Sequence, residues 1–350
     1  MATYSGHVIK LSVFGASREP SVGVSIEGIP AGEQIDCSEL QSFLDRRAPG
    51  RFAWTTARKE QDAPQFLSGL CDGVTTGEPI TAVLPNTDVA KGEKSTVLRP
   101  GHADWPAYLK YGEIPAGGGK FSGRLTAPFC VAGGICLQFL KKRGIAVAAH
   151  AFTVADVQDL PFDPMQPELD ALCGKEFPTL DDQAGEQMIA RILEAKELGN
   201  SVGGIIECAV TGLPAGLGDH LWEGMESRIS MLVFGIPGIK GVQFGSGFAA
   251  AILTGADNND PLCIKDGKIA AMRNCSGGIL GGMTTGQPLL FAAAVKPTPT
   301  VGVPQKTVDV STFTETEASF GGRNDPCIVP RAVPVIEAAA AIALYDTLCE

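Results

Sequence analysis

Basic charge is scarce in this 350-residue sequence, which sets 28 lysines and arginines against 39 aspartates and glutamates for a formal net charge of −11. A global field of that sign excludes a protein held on nucleic acid or anionic lipid by its overall charge, and leaves room only for a local basic pocket. Paired cysteines are lacking too: the ten cysteines stand singly, with no Cys-x-x-Cys and no histidine at ligand spacing. A disulfide scaffold and a zinc module are thereby excluded, no metal is expected, and the cysteines read as buried free thiols in a reducing compartment. No apolar stretch reaches the roughly 18 residues of a membrane span, and Met1 to His7 show no charged leader backed by an apolar run, so a cytoplasmic protein is expected. The phosphate loop G-x-x-x-x-G-K-[ST] and the zinc helix H-E-x-x-H are missing. Gly199-Asn200-Ser201-Val202-Gly203 matches G-x-S-x-G in letters, but it leads from a helix into a strand, the reverse of a serine-hydrolase elbow, and reads as a turn.

Present in quantity are 43 glycines and 24 prolines, scattered among hydrophobic runs so that they punctuate many short elements. The chain also repeats itself. SVGVSIEGIPAG at 21–32 is echoed by SVGGIIECAVTGLPAG at 201–216, and GVTTGEPI at 73–80 by GMTTGQPL at 282–289, in the same order in each half. This reads as an internal duplication. Each first segment alternates as a strand does before a Pro-Ala-Gly turn. Helices are predicted over 39–47, with Ser38 before it as the cap, and over 127–143, 183–198, 219–234 and 331–348. The second is almost wholly apolar and so must be enclosed. Helices covered by sheets on both sides and a doubly wound sheet both satisfy this pattern.

Chemistry is concentrated in short motifs that join glycine or proline to a cation. They are Asp45-Arg46-Arg47-Ala48-Pro49-Gly50-Arg51, Arg58-Lys59-Glu60, Arg99-Pro100-Gly101-His102-Ala103-Asp104, Gly117-Gly118-Gly119-Lys120-Phe121-Ser122-Gly123-Arg124, Lys296-Pro297-Thr298-Pro299-Thr300 and Gly322-Arg323-Asn324-Asp325-Pro326. Arginine offers a bidentate fork and glycine lets backbone N–H groups approach an anion, so together they suit phosphate and carboxylate. His102, in a rigid turn two residues before Asp104, is a candidate proton donor, and Asp325 beside Arg323 a candidate base. His7, His150 and His220 read as structural. These residues point to an enzyme acting on a small polyanion.

The same motifs, with Ser122-Gly123-Arg124-Leu125-Thr126-Ala127, Val242-Gln243-Phe244-Gly245-Ser246-Gly247-Phe248, Gly277-Gly278-Ile279-Leu280-Gly281-Gly282 and Asp325-Pro326-Cys327, make the chain resemble the chorismate synthase family from near residue 5 to near residue 348. The resemblance implies an α+β fold, a β-α-β sandwich whose helices pack between antiparallel sheets, as one domain over 1–350 with halves near 1–180 and 181–350. It also implies a homotetramer. The reaction implied is the anti-1,4-elimination of phosphate from 5-enolpyruvylshikimate 3-phosphate to give chorismate, with reduced FMN and no net redox change, NADPH being a possible source of electrons. His102 would then protonate or stabilise the reduced flavin and Asp325 keep its N5 basic. Flavin contacts would fall on Lys120, Phe121, Ser122, Asp257, Asn258, Gly281, Lys296, Pro297, Thr298, Pro299, Thr300 and Arg323. Arg46, Arg47, Arg51 and Arg58 would meet the substrate anions.

The chain departs from the family at Phe14-Gly15-Ala16-Ser17-Arg18-Glu19, where Phe-Gly-Glu-Ser-His-Gly is usual. Arg18 thus replaces the histidine assigned as acid for the departing phosphate, and a guanidinium with pKa above about 12 binds phosphate but is a poor proton donor. Asn324 replaces a histidine, Ala48 an arginine, and Asp88-Val89-Ala90-Lys91-Gly92 stands in a shortened segment. Two readings follow: a chorismate synthase that uses Arg18 electrostatically, or a paralogue of the same fold that acts on another substrate or serves as a flavin- or ligand-binding subunit.

Overall fold

The computed structural model of the chain describes residues 1–88, 95–265 and 267–350. Val89 to Gly92, part of the shortened segment noted above, lie outside the described residues. Strands β1 (Ala2–Ser5), β2 (Lys10–Gly15), β3 (Ser21–Glu27), β4 (Gln65–Ser68) and β5 (Ile80–Pro85) form one antiparallel sheet in the order β1-β2-β3-β5-β4. Strands β6 (Ala146–Val154), β7 (Val157–Gln158), β8 (Gly204–Thr211), β9 (Ile239–Phe244) and β10 (Leu289–Val295) form a second, in the order β9-β10-β8-β6-β7. Both sheets are antiparallel, so the chain is α+β and the doubly wound alternative falls away.

Six helices of eight residues or more are found among the described residues. They are α1 (Cys37–Arg47), α2 (Asp104–Tyr111), α3 (Thr126–Lys142), α4 (Asp182–Glu197), α5 (Met225–Phe234) and α6 (Val329–Leu348). Helix α3 lies on the first sheet, α6 on the second, and the two pack on each other, with α1 and α5 alongside. Small residues make that approach possible. A Cβ on Gly133 of α3 would stand 2.2 Å from Ala338 Cβ of α6, in a run where Ala338 to Ala341 are all fully buried. Residues 123–142 are long and apolar enough to cross a membrane, at a mean hydropathy of 1.3 over the best window, contrary to the expectation that no stretch reaches that length. That window is 72% buried within the fold, as suits the central helix of a sandwich.

Several local expectations shift by a residue or a turn. Asp36, not Ser38, caps α1: its Oδ1 accepts from Ser38 N at 2.8 Å and Glu39 N at 3.0 Å. The helix expected over 219–234 begins only at Met225, because Leu221 adopts φ 56° and the chain makes a short 3₁₀ turn before Gly224. All ten cysteines are free, but only Cys130, Cys136, Cys208 and Cys327 are buried, while Cys37, Cys71 and Cys173 are exposed. Desolvation pushes the buried Cys130 and Cys327 thiols up to about 12, so they are inert.

The two Thr-Thr-Gly segments make the same contacts. Thr75 Oγ1 donates to Pro30 O at 2.6 Å and accepts from Glu33 N at 2.9 Å, while Thr284 Oγ1 donates to Pro214 O at 2.7 Å and accepts from Leu217 N at 2.9 Å. In each half, then, a buried threonine ties the strand approaching from Thr-Thr-Gly to the Pro-Ala-Gly turn. His150 on β6 is fully buried, with Nδ1 2.9 Å from Asp159 and Nε2 3.0 Å from Glu207. Burial alone would lower its pKa, but the two carboxylates raise it, and the side chain is structural.

Candidate active site

Loops from both halves and the starts of two core helices enclose a cleft of about 590 Å³, within the roughly 300–1,000 Å³ typical of ligand sites. Among the described residues, eight cations reach its wall against two carboxylates, Glu60 and Asp325. Arg47 ends α1 and Arg331 stands in the first turn of α6; Arg58, Arg99, Lys120 and Arg124 come from loops and turns of the first half, Lys296 and Arg323 from the second. A strongly positive pocket therefore sits inside a chain of net charge −11.

The His102 turn is held from behind. Its Nδ1 lies 2.6 Å from Asp104 Oδ1, and Asp104, fully buried at the start of α2, also takes Arg99 Nε and Nη2, each at 2.7 Å. Burial alone would raise the Asp104 pKa, but the bonds from His102 and Arg99 hold the carboxyl well below its ordinary value. An ionised Asp104 fixes the proton on Nδ1 and turns Nε2 away from it, and the imidazole lines the cleft. Lys296 Nζ crosses from the other half to donate to Gly101 O at 2.5 Å.

Asp325 also lines the cleft, just before α6. Its Oδ1 accepts from Thr56 N at 3.0 Å and its Oδ2 pairs with Arg331. Thr56 Oγ1 donates to Arg323 O at 2.6 Å, and Arg323 Nη1 reaches both oxygens of Asp88 at 2.7 Å. Beneath the floor, Asp62 joins Arg47 and Arg124, and its side chain is 0% exposed. Burial alone would raise the Asp62 pKa, but the two guanidiniums hold it down. Burial pushes Arg331 and Arg124 below the usual guanidinium value. Two unit charges about 4 Å apart interact by ~4 kcal/mol at an effective dielectric near 20, so cations this crowded need the carboxylates among them.

Of the residues expected from sequence, His102, Asp325, Lys120, Phe121, Ser122, Lys296 through Thr300, Arg323, Arg47 and Arg58 all line this cleft. Six do not. Arg46, a residue away from Arg47 and so about 100° round the helix, forks instead onto buried Glu337 at 2.6 and 2.9 Å. Glu337 also accepts from Ala149 N at 2.9 Å, so Arg46 ties α1 to α6 and β6. Arg51 is exposed, its guanidinium 5.7 Å from the Phe52 ring centroid. Asp257 and Asn258 belong to a short helical turn, Gly255–Asn258, and Gly281 to a hairpin turn, all outside the cleft wall. Arg18 lies in a neighbouring cavity of about 140 Å³ that shares Arg99 with the cleft. There it packs beside Gly117, on which a Cβ would stand 3.1 Å from Arg18 Nε, in a turn pinned by Asn86 Nδ2 to Ala16 O at 3.1 Å and Glu19 O at 2.7 Å.

Sequence reasoning left out Arg331, Asp62, Thr56 and Ser201. Ser201, within the G-x-S-x-G turn, donates to Thr298 O at 2.7 Å and so supports the cleft wall. Arg331 stood in none of the cationic motifs, because it opens a long and mostly apolar core helix.

A sequence model described as chorismate synthase matches residues 9–349. A chorismate synthase of Lancefieldella parvula is 42% identical over 367 aligned positions, covering 99% of this chain and 96% of the relative. A chorismate synthase of Thermococcus kodakarensis is 42% identical over 349, covering 98% and 96%. A solved structure titled as a crystal structure of chorismate synthase superposes with a TM-score of 0.77 at 26% identity, covering 98% of this chain and 92% of that one. With a family match over nearly its whole length and relatives of this identity, the chain belongs to the chorismate synthase family.

Proposed function

We propose that the protein is a lyase that eliminates phosphate from 5-enolpyruvylshikimate 3-phosphate to give chorismate, with reduced FMN held in the cleft. The observation that carries this reading is the convergence of eight cations on one cleft with His102 and Asp325, suited to a substrate bearing phosphate and carboxylates.

The residues present fit a flavin. Thr298 Oγ1 is buried without a partner among the described residues, a donor and acceptor for a polar ring edge. Pro297, Pro299, Ile236 and Ile328 offer apolar faces, and Lys120, Lys296 and Arg323 offer charge for a phosphate. When bound, the reduced flavin supplies electron density to the substrate as the phosphate leaves, and a base for the C6 hydrogen. Arg47, Arg58, Arg124 and Arg331 bind and orient the substrate anions, His102 presents Nε2 to the cleft for proton exchange, and Asp325 places negative charge in the same cleft. NADPH, directly or through a reductase, is the electron source.

Asp257, Asn258 and Gly281 lie outside the chain's own cleft wall, and Asn258 Oδ1 is buried without a partner among the described residues. In the homotetramer that the family resemblance implies, they serve between copies. Phe248 and Ile252, 80% and 88% exposed just before this turn, support such a contact.

Arg18 favours a second reading, in which the chain binds its ligands without turnover. On the first reading, Arg18 stabilises the leaving phosphate by charge through the side cavity it shares with Arg99. Restoring the imidazole is then expected to raise turnover by up to about 10², the lower range of general acid catalysis. Steady-state phosphate release by the parent and Arg18→His decides. An Arg18→His variant no faster than an active parent contradicts the electrostatic role, and turnover in that variant alone supports the second reading.

A further inference from the structure

We propose that Asp62 is the positioning residue of the cleft, the carboxylate that holds the Arg47 and Arg124 forks at the spacing with which they receive the substrate anion. The inference rests on the proposed reading of the cleft. Asp62 touches no ligand space itself: it is absent from the cleft wall, whereas both arginines line it. One carboxylate oxygen bonds Arg47 Nη1 and the other Arg124 Nη1. Its partners are fastened elsewhere as well. Arg47 Nε donates to Thr126 Oγ1 at 3.1 Å and Nη2 to Gly123 O at 3.3 Å. Arg124 Nε donates to Asn86 Oδ1 at 2.8 Å and Nη2 to Pro85 O at 3.2 Å. The terminal nitrogens carry two hydrogens each, so both forks keep N–H groups for an anion.

The backbone supports the assignment. Asp62 has φ 49°, a left-handed conformation uncommon for a non-glycine residue and borne most readily by Asn and Asp. A strained backbone that aims a fully buried carboxylate between two cleft cations is the kind of local cost that functional geometry retains. Without that carboxylate the like-charged forks repel and swing apart, even though the cleft becomes more positive. Geometry and net charge thus make opposite predictions for the loss of Asp62.

Asp62→Asn tests it, since asparagine tolerates the same φ and has the same shape. Titration of 5-enolpyruvylshikimate 3-phosphate into the flavin-free variant is expected to give a Kd about 10- to 100-fold weaker than the parent's. With reduced FMN present, KM should rise in parallel while kcat stays within about threefold. Affinity unchanged or tighter, or an unchanged KM beside a lower melting temperature, overturns the proposal and leaves Asp62 a structural residue. A parent that fails to bind this substrate contradicts the proposed function instead. Should Asp62→Asn not fold, it is combined with Arg124→Gln, which relieves the repulsion. Weaker binding by the pair than by Arg124→Gln alone supports positioning of Arg47, and equal binding or a pair that still does not fold overturns it.

Discussion

Replacing Asp325 by alanine is expected to lower kcat by about 10³ or more, and Asp325→Asn by about 10². Two effects add in the alanine variant. It removes one of the two carboxylates that line the cleft among the described residues, and it strands Arg331, whose side chain is 14% exposed beside an Asp325 side chain 12% exposed. Breaking a buried pair on one side typically costs about 3–5 kcal/mol, so the alanine variant also loses stability. Asparagine keeps an acceptor for Thr56 N and isolates the charge. Single-turnover rates with reduced flavin, alongside melting temperatures, separate the two. An Asp325→Asn variant that turns over within threefold of the parent shows that the charge does not act in the reaction.

The second large effect is expected at His102. His102→Ala should reduce kcat by about 10² to 10⁴, the range for loss of a positioned acid or base, with a much smaller change in KM because the cleft cations stay in place. Asp104→Asn tests the support of the imidazole separately. Asp104 bonds both His102 and Arg99, and its neutral amide no longer fixes the proton on Nδ1. That variant should lose activity while keeping the imidazole, and rates measured across pH for the two variants report whether His102 works in one fixed tautomer. A His102→Ala variant that changes only KM removes the residue from the chemistry and makes it an anion contact.

Much of this cleft was legible in the sequence because the motifs announce themselves. Lys120 to Ser122, Lys296 to Thr300, His102 and Arg323 each sit next to glycine or proline, so the backbone turn and the functional side chain are written together. Arg46 and Arg47 mark where that legibility ends. They are neighbours in one motif, yet helix geometry sends the first to Glu337 and the second to Asp62. Only the placement of α6 and of the Asp62 turn distinguishes them. Arg331 and Asp62 also stand near a proline, Pro330 and Pro64, but in no glycine-rich cationic motif, and only the fold gives Asp62 its partners Arg47 and Arg124. The fold showed the same limit: the repeats and enclosed helices were visible, but they fitted a doubly wound sheet as well until strand pairing proved antiparallel in both sheets.

Arg18 is the position where family likeness and local chemistry pull in different directions. Its turn is pinned by Asn86 and borders the His102–Asp104–Arg99 chain through Gly117 and Arg99, so a guanidinium is held where the family usually has an imidazole. The charge remains and the ready proton does not.

The central claim, that this cleft converts its substrate with reduced flavin, is tested most directly by one assay. Purified protein, anaerobically reduced FMN and 5-enolpyruvylshikimate 3-phosphate are combined, and phosphate release is followed together with the absorbance of chorismate. The account predicts equal amounts of both products, formed catalytically and without net oxidation of the flavin. No turnover above background, with flavin and substrate each shown to bind, would contradict it.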